Sequence, residues 1–347
     1  MPRLVDKHLL RELHEPGWAG FGLTLLYTVA FHALLVAIYW AVAESRYALL
    51  VPLVLAQAFV MHAFLIAFHE AAHGGLSPVG WLNGYLGRVI GVSSWMSLTL
   101  YRAAHHWHHA YLGDRRDEEF WPLNDPAAGK SKRRLAAFFE LMCGLAWTPF
   151  LFLRSFLRRD TPIRNRAVRR LIWVELFSLA AFWAALIGLV MWFDAIPVFV
   201  AAYLIPAVIA GNVQSLRKYV EHVGLTGRGF ALTRSVRNPS RLGRLVSWLL
   251  FQEPYHDVHH LYPKVPQEAL PVVAAAENPI PPDLPVFPNY TSRCSICFAA
   301  SRTRSSARRG RKRKRPNCNG RSRGKRGGWE GLGTVDIHAS QSMVPAI

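Results

Sequence analysis

The sequence predicts an all-α integral membrane protein built from two transmembrane helical hairpins, four spans in all, with a helical cap on the cytoplasmic side. Three observations carry this. First, 51% of the 347 residues are hydrophobic and only 18% are charged, against about 25% charged in an ordinary soluble domain. Second, a hydrocarbon core of about 30 Å needs about 20 apolar residues at 1.5 Å each, and four stretches approach or exceed that length. Third, the 15 histidines are not scattered, and most fall outside those stretches. The overall balance of 41 Lys and Arg against 22 Asp and Glu is a property of the far end: 14 basic and 2 acidic residues follow Tyr290. Four cysteines, three of them in that basic end, exclude a disulfide framework and suit a reduced compartment.

Residues 1–19 read as a cytoplasmic N-terminal segment, mixed in charge and unlike a secretory signal, so the first span is expected to stay in the mature protein. Residues 20–68 form the first hairpin: Gly20 to Ala43, flanked by Trp18 and the Tyr39/Trp40 pair as interfacial rings, then a polar turn at Glu44, Ser45 and Arg46, then Ala48 to Phe68. Residues 171–216 form the second: Leu171 to Phe193, a break at Asp194 and Pro197, and Ile196 to Leu216, with Glu175 the one charge in the third span. Between the hairpins, Glu70 to Arg170 holds 15 Lys and Arg, whereas the two hairpin turns hold only Arg46. The positive-inside rule then puts both termini and the middle segment in the cytoplasm, most simply at an inner or cytoplasmic membrane. In that middle segment (69–170), Leu86 to Leu100 and Leu135 to Leu157 are apolar but short, or broken by Gly144 and Pro149, and read as interfacial helices. Residues 217–290 follow as a second cytoplasmic region. After a Pro-rich run from Pro279 to Pro288, residues 291–347 have a disorder-prone basic composition. Its lone CxxC, Cys294 and Cys297, is a weak zinc signal, and the abrupt change of composition favours a spurious end over a nucleic-acid or lipid contact.

Ten histidines occupy four places: His69 and His73 in HEAAH, His105, His106, His108 and His109 in HHWHH, His222 in YVEHVG, and His256, His259 and His260 in HDVHH. On a helix, positions i, i+3 and i+4 share one face, so each box presents two or three imidazoles in one direction. That arrangement suits a metal. Gly74 and Gly75 can end the first-box helix just outside the hydrocarbon. With His106 set aside because it faces another way, nine imidazoles collect on one membrane face, more than one ion needs. Imidazole binds Fe, Zn, Cu and Ni alike, so ligand type leaves the metal open. Glu70, Glu221 and Asp257 adjoin the boxes and could accept ring N–H bonds or bind metal themselves.

The order HEAAH, HHWHH and HDVHHLYP between two apolar hairpins resembles the membrane fatty acid desaturase family over roughly His69 to Pro266. The resemblance implies a histidine-box diiron site in the cap, with His69, His73, His105, His108, His109, His256, His259 and His260 as ligands and His222 as the ligand outside the boxes. It implies two iron ions activating O2, removal of hydrogen from two adjacent methylenes of an acyl lipid or acyl thioester, and an apolar tunnel for the acyl chain. Lys218 to Gly224 also resembles a motif of the related alkane hydroxylases, so a diiron hydroxylase or ketolase acting on an alkane, fatty acyl or carotenoid-type substrate is the alternative; the HxxHH spacing of the second box favours the desaturases. No HPGG-type haem motif, Rossmann fingerprint or four-cysteine cluster pattern is present, so an external ferredoxin, rubredoxin or cytochrome b5 is the expected electron donor. Nucleic acid is not an expected partner.

The remaining residues read more plainly. His8, His14, His32 and His338 are ordinary packed or capping residues, and His62, deep in the second span, is read as a hydrogen-bonding neighbour of another helix. Arg102, Arg115 and Arg116 fit positive-inside topology better than a head-group site. Trp81, Trp95 and Trp107 read as interfacial anchors, and Asn212 is left open between the site and a structural hydrogen bond.

Overall fold

The structure, a computed structural model, describes residues 5–225, 229–276, 286–287 and 290. The basic segment 291–347 and His338 lie outside the described residues. Helices dominate: α1 (Lys7–Glu12), α2 (Ala19–Ala43), α3 (Tyr47–His73), α4 (Gly80–Ser93), α5 (Leu98–Tyr111), α6 (Lys130–Met142), α7 (Gly144–Leu157), α8 (Arg166–Trp192), α9 (Ile196–Phe199), α10 (Ile205–His222), α11 (Arg241–Leu249), α12 (His256–Leu261) and α13 (Leu270–Ala276). A π turn over Val200–Leu204 joins α9 to α10 in one rod, Ile196–His222. The described strands are two-residue pieces, β1 (Ser235–Val236) and β2 (Val286–Phe287), paired in parallel.

Four rods are long and apolar enough to cross a membrane: α2 at 25 residues, and α3, α8 and Ile196–His222 at 27 each, or about 40 Å at 1.5 Å per residue. They are the four expected spans, each continuing beyond its apolar stretch at one end or both. As expected, α3 carries the first histidine box as its last turn and stops at Gly74, whose φ of 82° supplies the left-handed residue of the cap, with Gly75 N–H donating to the Glu70 carbonyl at 3.1 Å. α10 likewise continues to His222.

The apolar middle segments also divide differently. Leu86 to Leu100 is two helices, because Trp95 takes φ 57° and the Met96 N–H closes onto the Gly91 carbonyl at 2.9 Å, ending α4. Leu135 to Leu157 breaks at Cys143 and Gly144 as expected, while Pro149 is accommodated inside α7.

α3 is the central rod. Ala63, Ile66, Ala67 and Phe68 are buried with Leu23 and Tyr27 of α2, Ile90 of α4, Leu98 of α5 and Phe152 of α7 in one apolar core. On the opposite face α3 meets α10, where Met61 packs with Ala207 and Ala210. Proline at 206 removes the donor that would reach the Ala202 carbonyl. Gln57 of α3, fully buried, donates to that oxygen at 3.3 Å, satisfying it where water is excluded.

α8 is different: among its residues only Ile172 is buried, and its apolar side chains, Phe177, Phe182 and Leu189 among them, face outward. Its one acid tethers it. Glu175 accepts from Arg88 Nε (2.8 Å), Ser97 Oγ (2.5 Å), Thr99 N (2.9 Å) and Thr99 Oγ1 (2.7 Å). A carboxylate at the first turn of α5 also complements the helix dipole, so this cluster fixes the start of the helix that carries the second box.

Candidate metal centre

Every box is aimed by helix geometry plus one or two specific bonds. On α5, His105, His108 and His109 share a face, and Ser97 caps the helix by accepting from Leu100 N at 3.1 Å. Arg102, one turn before His105, donates to the carbonyls of Ala72 (2.9 Å) and Ala71 (3.1 Å), joining α5 to the first box at the end of α3. His222 ends α10 and donates from Nδ1 to the Leu232 carbonyl at 3.1 Å. The third box forms the short α12, entered through a 3-10 turn at Glu253–Tyr255.

The nine imidazoles singled out in the sequence converge into two adjoining groups. His69, His73, His105, His109 and His259 each bring one ring nitrogen into a set whose members all lie within 4.8 Å of one another. His108, His222 and His260 form a second such set, and His256 joins it with its Nε2 2.8 Å from His222 Nε2 and 3.1 Å from His260 Nε2. The His109 and His260 rings stack at 4.3 Å, so the two groups abut. His106 is exposed and belongs to neither.

The donor set fits metal ions. Two ring nitrogens at right angles about one ion, each about 2.1 Å from it, lie about 3 Å apart, which is the spacing of the His256–His222 and His256–His260 pairs above and of His105 Nε2 to His109 Nε2 (3.0 Å). Buried nitrogens His69 Nε2, His73 Nε2 and both ring nitrogens of His259 have no protein hydrogen-bond partner. Leaving such groups unsatisfied is costly, about 1–3 kcal/mol each. Burial, reinforced by neighbouring imidazoles, holds His109 and His260 well below the usual histidine range, and burial brings His259 down to about 3. These rings are therefore neutral near pH 7, with lone pairs free to bind a cation.

The outer ring nitrogens meet acids that sequence reasoning missed. His105 Nδ1 lies 2.5 Å from Glu119 Oε1, and His108 Nδ1 lies 3.1 Å from Asp117 Oδ1. Burial would raise the Glu119 carboxyl, but the adjacent His105 and His108 bring it down to about 2. Glu253 Oε1 is 3.3 Å from His256 Nδ1, and its Oε2 is 3.7 Å from His69 Nδ1. The spacing of Glu253 to His256, i to i+3, was the one available signal; Asp117 and Glu119 come from a turn after α5 with no periodicity to mark them.

Of the acids named from the sequence, Glu221 lies beside the second group, in a set with Glu253 and His256 whose ligand atoms are all within 4.8 Å of one another, while Glu70 and Asp257 are bonded to other residues. Glu70 is buried and accepts from Gln267 N at 3.3 Å. Asp257 accepts from Ser235 Oγ, Arg237 Nη2 (2.7 Å) and Val258 N (2.8 Å). Glu221 pairs with Arg217 (3.1 Å) and Tyr290 OH (3.1 Å), with His256 Nε2 3.7 Å away.

A mostly apolar cavity of about 70 Å³ lies between α3, α5, α7 and α10: Leu65, Phe68, Leu145 and Phe152 line it, and so do Tyr101 and Glu119, both of which touch His105. Tyr101 stacks on His105 at 5.0 Å. None of Trp81, Trp95 and Trp107 lines this cavity. Asn212 caps α7, its Oδ1 accepting from Gly144 N at 2.9 Å. His62 is buried outside both groups; Arg116 pairs with Asp114 at 2.9 Å.

Residues 45–291 match the family model described as Fatty acid desaturase. A protein named "Fatty acid desaturase" from Bacillus subtilis (strain 168) is 26% identical over 264 residues, covering 71% of this chain and 72% of the relative. "Omega-3 fatty acid desaturase, chloroplastic" from Glycine max is 24% identical over 249 residues, covering 65% of this chain and 53% of that longer protein.

Proposed function

The chain belongs to the fatty acid desaturase family, and from that premise we propose that it is a membrane-bound acyl desaturase that uses O2 and a pair of iron ions to introduce a carbon–carbon double bond into an acyl lipid or acyl thioester. The single observation that carries the reading is the convergence of nine imidazoles, in groups of five and four, at the ends of two membrane-spanning helices and the segments packed on them. His69, His73, His105, His109 and His259 would hold one ion, and His108, His222, His256 and His260 the other. Bound there, the irons would supply the O2-dependent oxidation that removes one hydrogen from each of two neighbouring methylenes.

The remaining work is done by side chains. Burial favours the neutral form of His109, His259 and His260, and Glu119 and Asp117 hold outer ring nitrogens so that the inner ones face the metal. Leu65, Phe68 and Phe152 give the acyl chain a dry path ending at Tyr101. The cavity is well below the roughly 300–1,000 Å³ of a formed ligand pocket, so on this reading α7, which forms one wall, moves outward as the chain enters. The basic segment between the hairpins supports a cytoplasmic site and cytoplasmic termini, where a ferredoxin, rubredoxin or cytochrome b5 would supply electrons.

The test is lipid profiling by mass spectrometry in a host that expresses the chain with a donor, beside the His109→Ala form. New acyl species two mass units lighter, absent with the variant, are expected. Species sixteen units heavier would replace desaturation by hydroxylation. His73→Ala and His260→Ala should also lower bound iron and abolish turnover, while His14→Ala does neither; full activity in any box variant would overturn the ligand assignment.

A further inference from the structure

Glu253 stands between the two histidine groups. One of its oxygens is 3.3 Å from Nδ1 of His256, in the group of four, at ion-pair distance without hydrogen-bond geometry, and the other is 3.7 Å from Nδ1 of His69, in the group of five, whose hydrogen-bond partner is Gln267 Nε2 at 3.3 Å. In both cases the contact is to the nitrogen pointing away from the common centre: His69 Nε2 is the atom left without a partner, and His256 Nε2 is the atom that meets His222 and His260. Asp117 and Glu119, by contrast, each hold one ring of one group.

The carboxylate is itself clamped. Arg217, buried on α10, donates to Glu253 Oε1 and to Glu221, and Gln267 Nε2 donates to Glu253 Oε2 at 2.6 Å. The backbone is bent to place it. α11 ends with the Gln252 N–H bonded to the Ser247 carbonyl at 2.7 Å and the Phe251 N–H bonded to Trp248 at 3.1 Å, a pattern that normally uses glycine. Here Phe251 (φ 51°) and Gln252 (φ 59°) are consecutive left-handed residues with side chains. Strain of this kind, held by the surrounding structure, gathers at functional sites. Phe251 is fastened in the core beside Tyr27, 6.1 Å between rings, which keeps the turn in place.

We propose that Glu253 is a positioning residue shared by both metal sites: its carboxylate stands against the His256 ring of one group and, through Gln267, against the His69 ring of the other, so that it orients one ligand in each and the two sites gain or lose affinity together. This rests on the assignment of the two groups as metal sites. The experiment is titration of the metal-depleted full-length protein with cobalt(II), followed by visible absorption and by metal per chain, for wild type, Glu253→Gln and Glu119→Gln.

Wild type should bind two equivalents. Outer-ring partners contribute roughly 10- to 100-fold to metal affinity, so Glu253→Gln should weaken both equivalents by that range, and Glu119→Gln only one. A Glu253→Gln protein that weakens one equivalent or neither, while its thermal unfolding without metal matches wild type, overturns the proposal. Should that variant not fold, Glu253→Asp, which keeps the charge and withdraws the carboxylate by one methylene, is read the same way: both equivalents weakened supports the shared role, one or none refutes it. Failure of wild type to take up two equivalents would instead refute the underlying two-site reading.

Discussion

Substituting Gly211 by alanine tests whether the closeness of α7 and α10 shapes the cavity. A Cβ at 211 would lie 2.6 Å from Leu145 N and 2.9 Å from Leu145 Cα, both backbone atoms that cannot rotate away, where ordinary contact begins at 3.4 Å. The two helices must separate until that gap opens. Overpacking of this kind costs about 1–3 kcal/mol, and stretching the Asn212–Gly144 bond of 2.9 Å adds about 1 kcal/mol. Alanine recovers about 1 kcal/mol of helix propensity, leaving a net loss of about 1–3 kcal/mol. Leu145, Thr148 and Phe152 move with α7, so the wall of the cavity moves too. The assays are thermal unfolding in detergent and the distribution of unsaturated products by chain length. Gly188→Ala, on lipid-facing α8 with nothing within 4 Å of the added carbon, is the control and should be neutral or slightly stabilising. Gly211→Ala with wild-type unfolding and an unchanged product distribution would refute the reasoning.

Glu175→Ala removes the acceptor for Arg88, Ser97 and Thr99 and should cost roughly 2–4 kcal/mol, read as a lower unfolding temperature together with less iron per chain, since α5 carries three of the histidines. Gln57→Leu strands the Ala202 carbonyl inside the span and should cost about 1–3 kcal/mol, seen by the same unfolding assay without a change in products. Removing metal with a chelator should lower the unfolding temperature, because an ion that binds only the folded protein stabilises it by mass action; re-addition of iron(II) should restore it. Deleting residues 291–347, beyond the family match that ends at 291, should leave desaturation intact, and a large loss at normal expression would contradict this.

The spans and boxes were legible because both are periodic signals. An apolar run declares its own length, and HEAAH or HDVHH declares its own face at i, i+3 and i+4. The turns were less visible. Trp95 (φ 57°) and Phe251 (φ 51°) occupy left-handed positions where glycine would have announced a helix end, whereas the turns at Ser45 and Asp194 were marked by their polarity. Trp95 in particular continues the apolar pattern across the break between α4 and α5. The acids that hold the histidines were hidden for a related reason: Asp117, Glu119 and Glu253 come from short turns, and their partners are chosen by tertiary proximity. Adjacency in sequence pointed to Glu70 and Asp257, which stand beside ligand residues yet bond Gln267, Arg237 and Ser235. Asn212 and Glu175 likewise acquired their meaning from helices distant in the chain.

The order in which the nine histidines occur along the chain sets a schedule for biogenesis. The group of five has four members by residue 109, all made before the second hairpin is synthesised, and lacks only His259. The group of four has one member by then, gains His222 when the last span is made, and waits for both His256 and His260. A nascent chain therefore presents a nearly finished first pocket and an unformed second one, and the residues that complete both arrive within one turn and a half of α12. On the proposed assignment, cofactor capture would be tied to the arrival of the third box, so that full loading would report a chain whose four spans are already made.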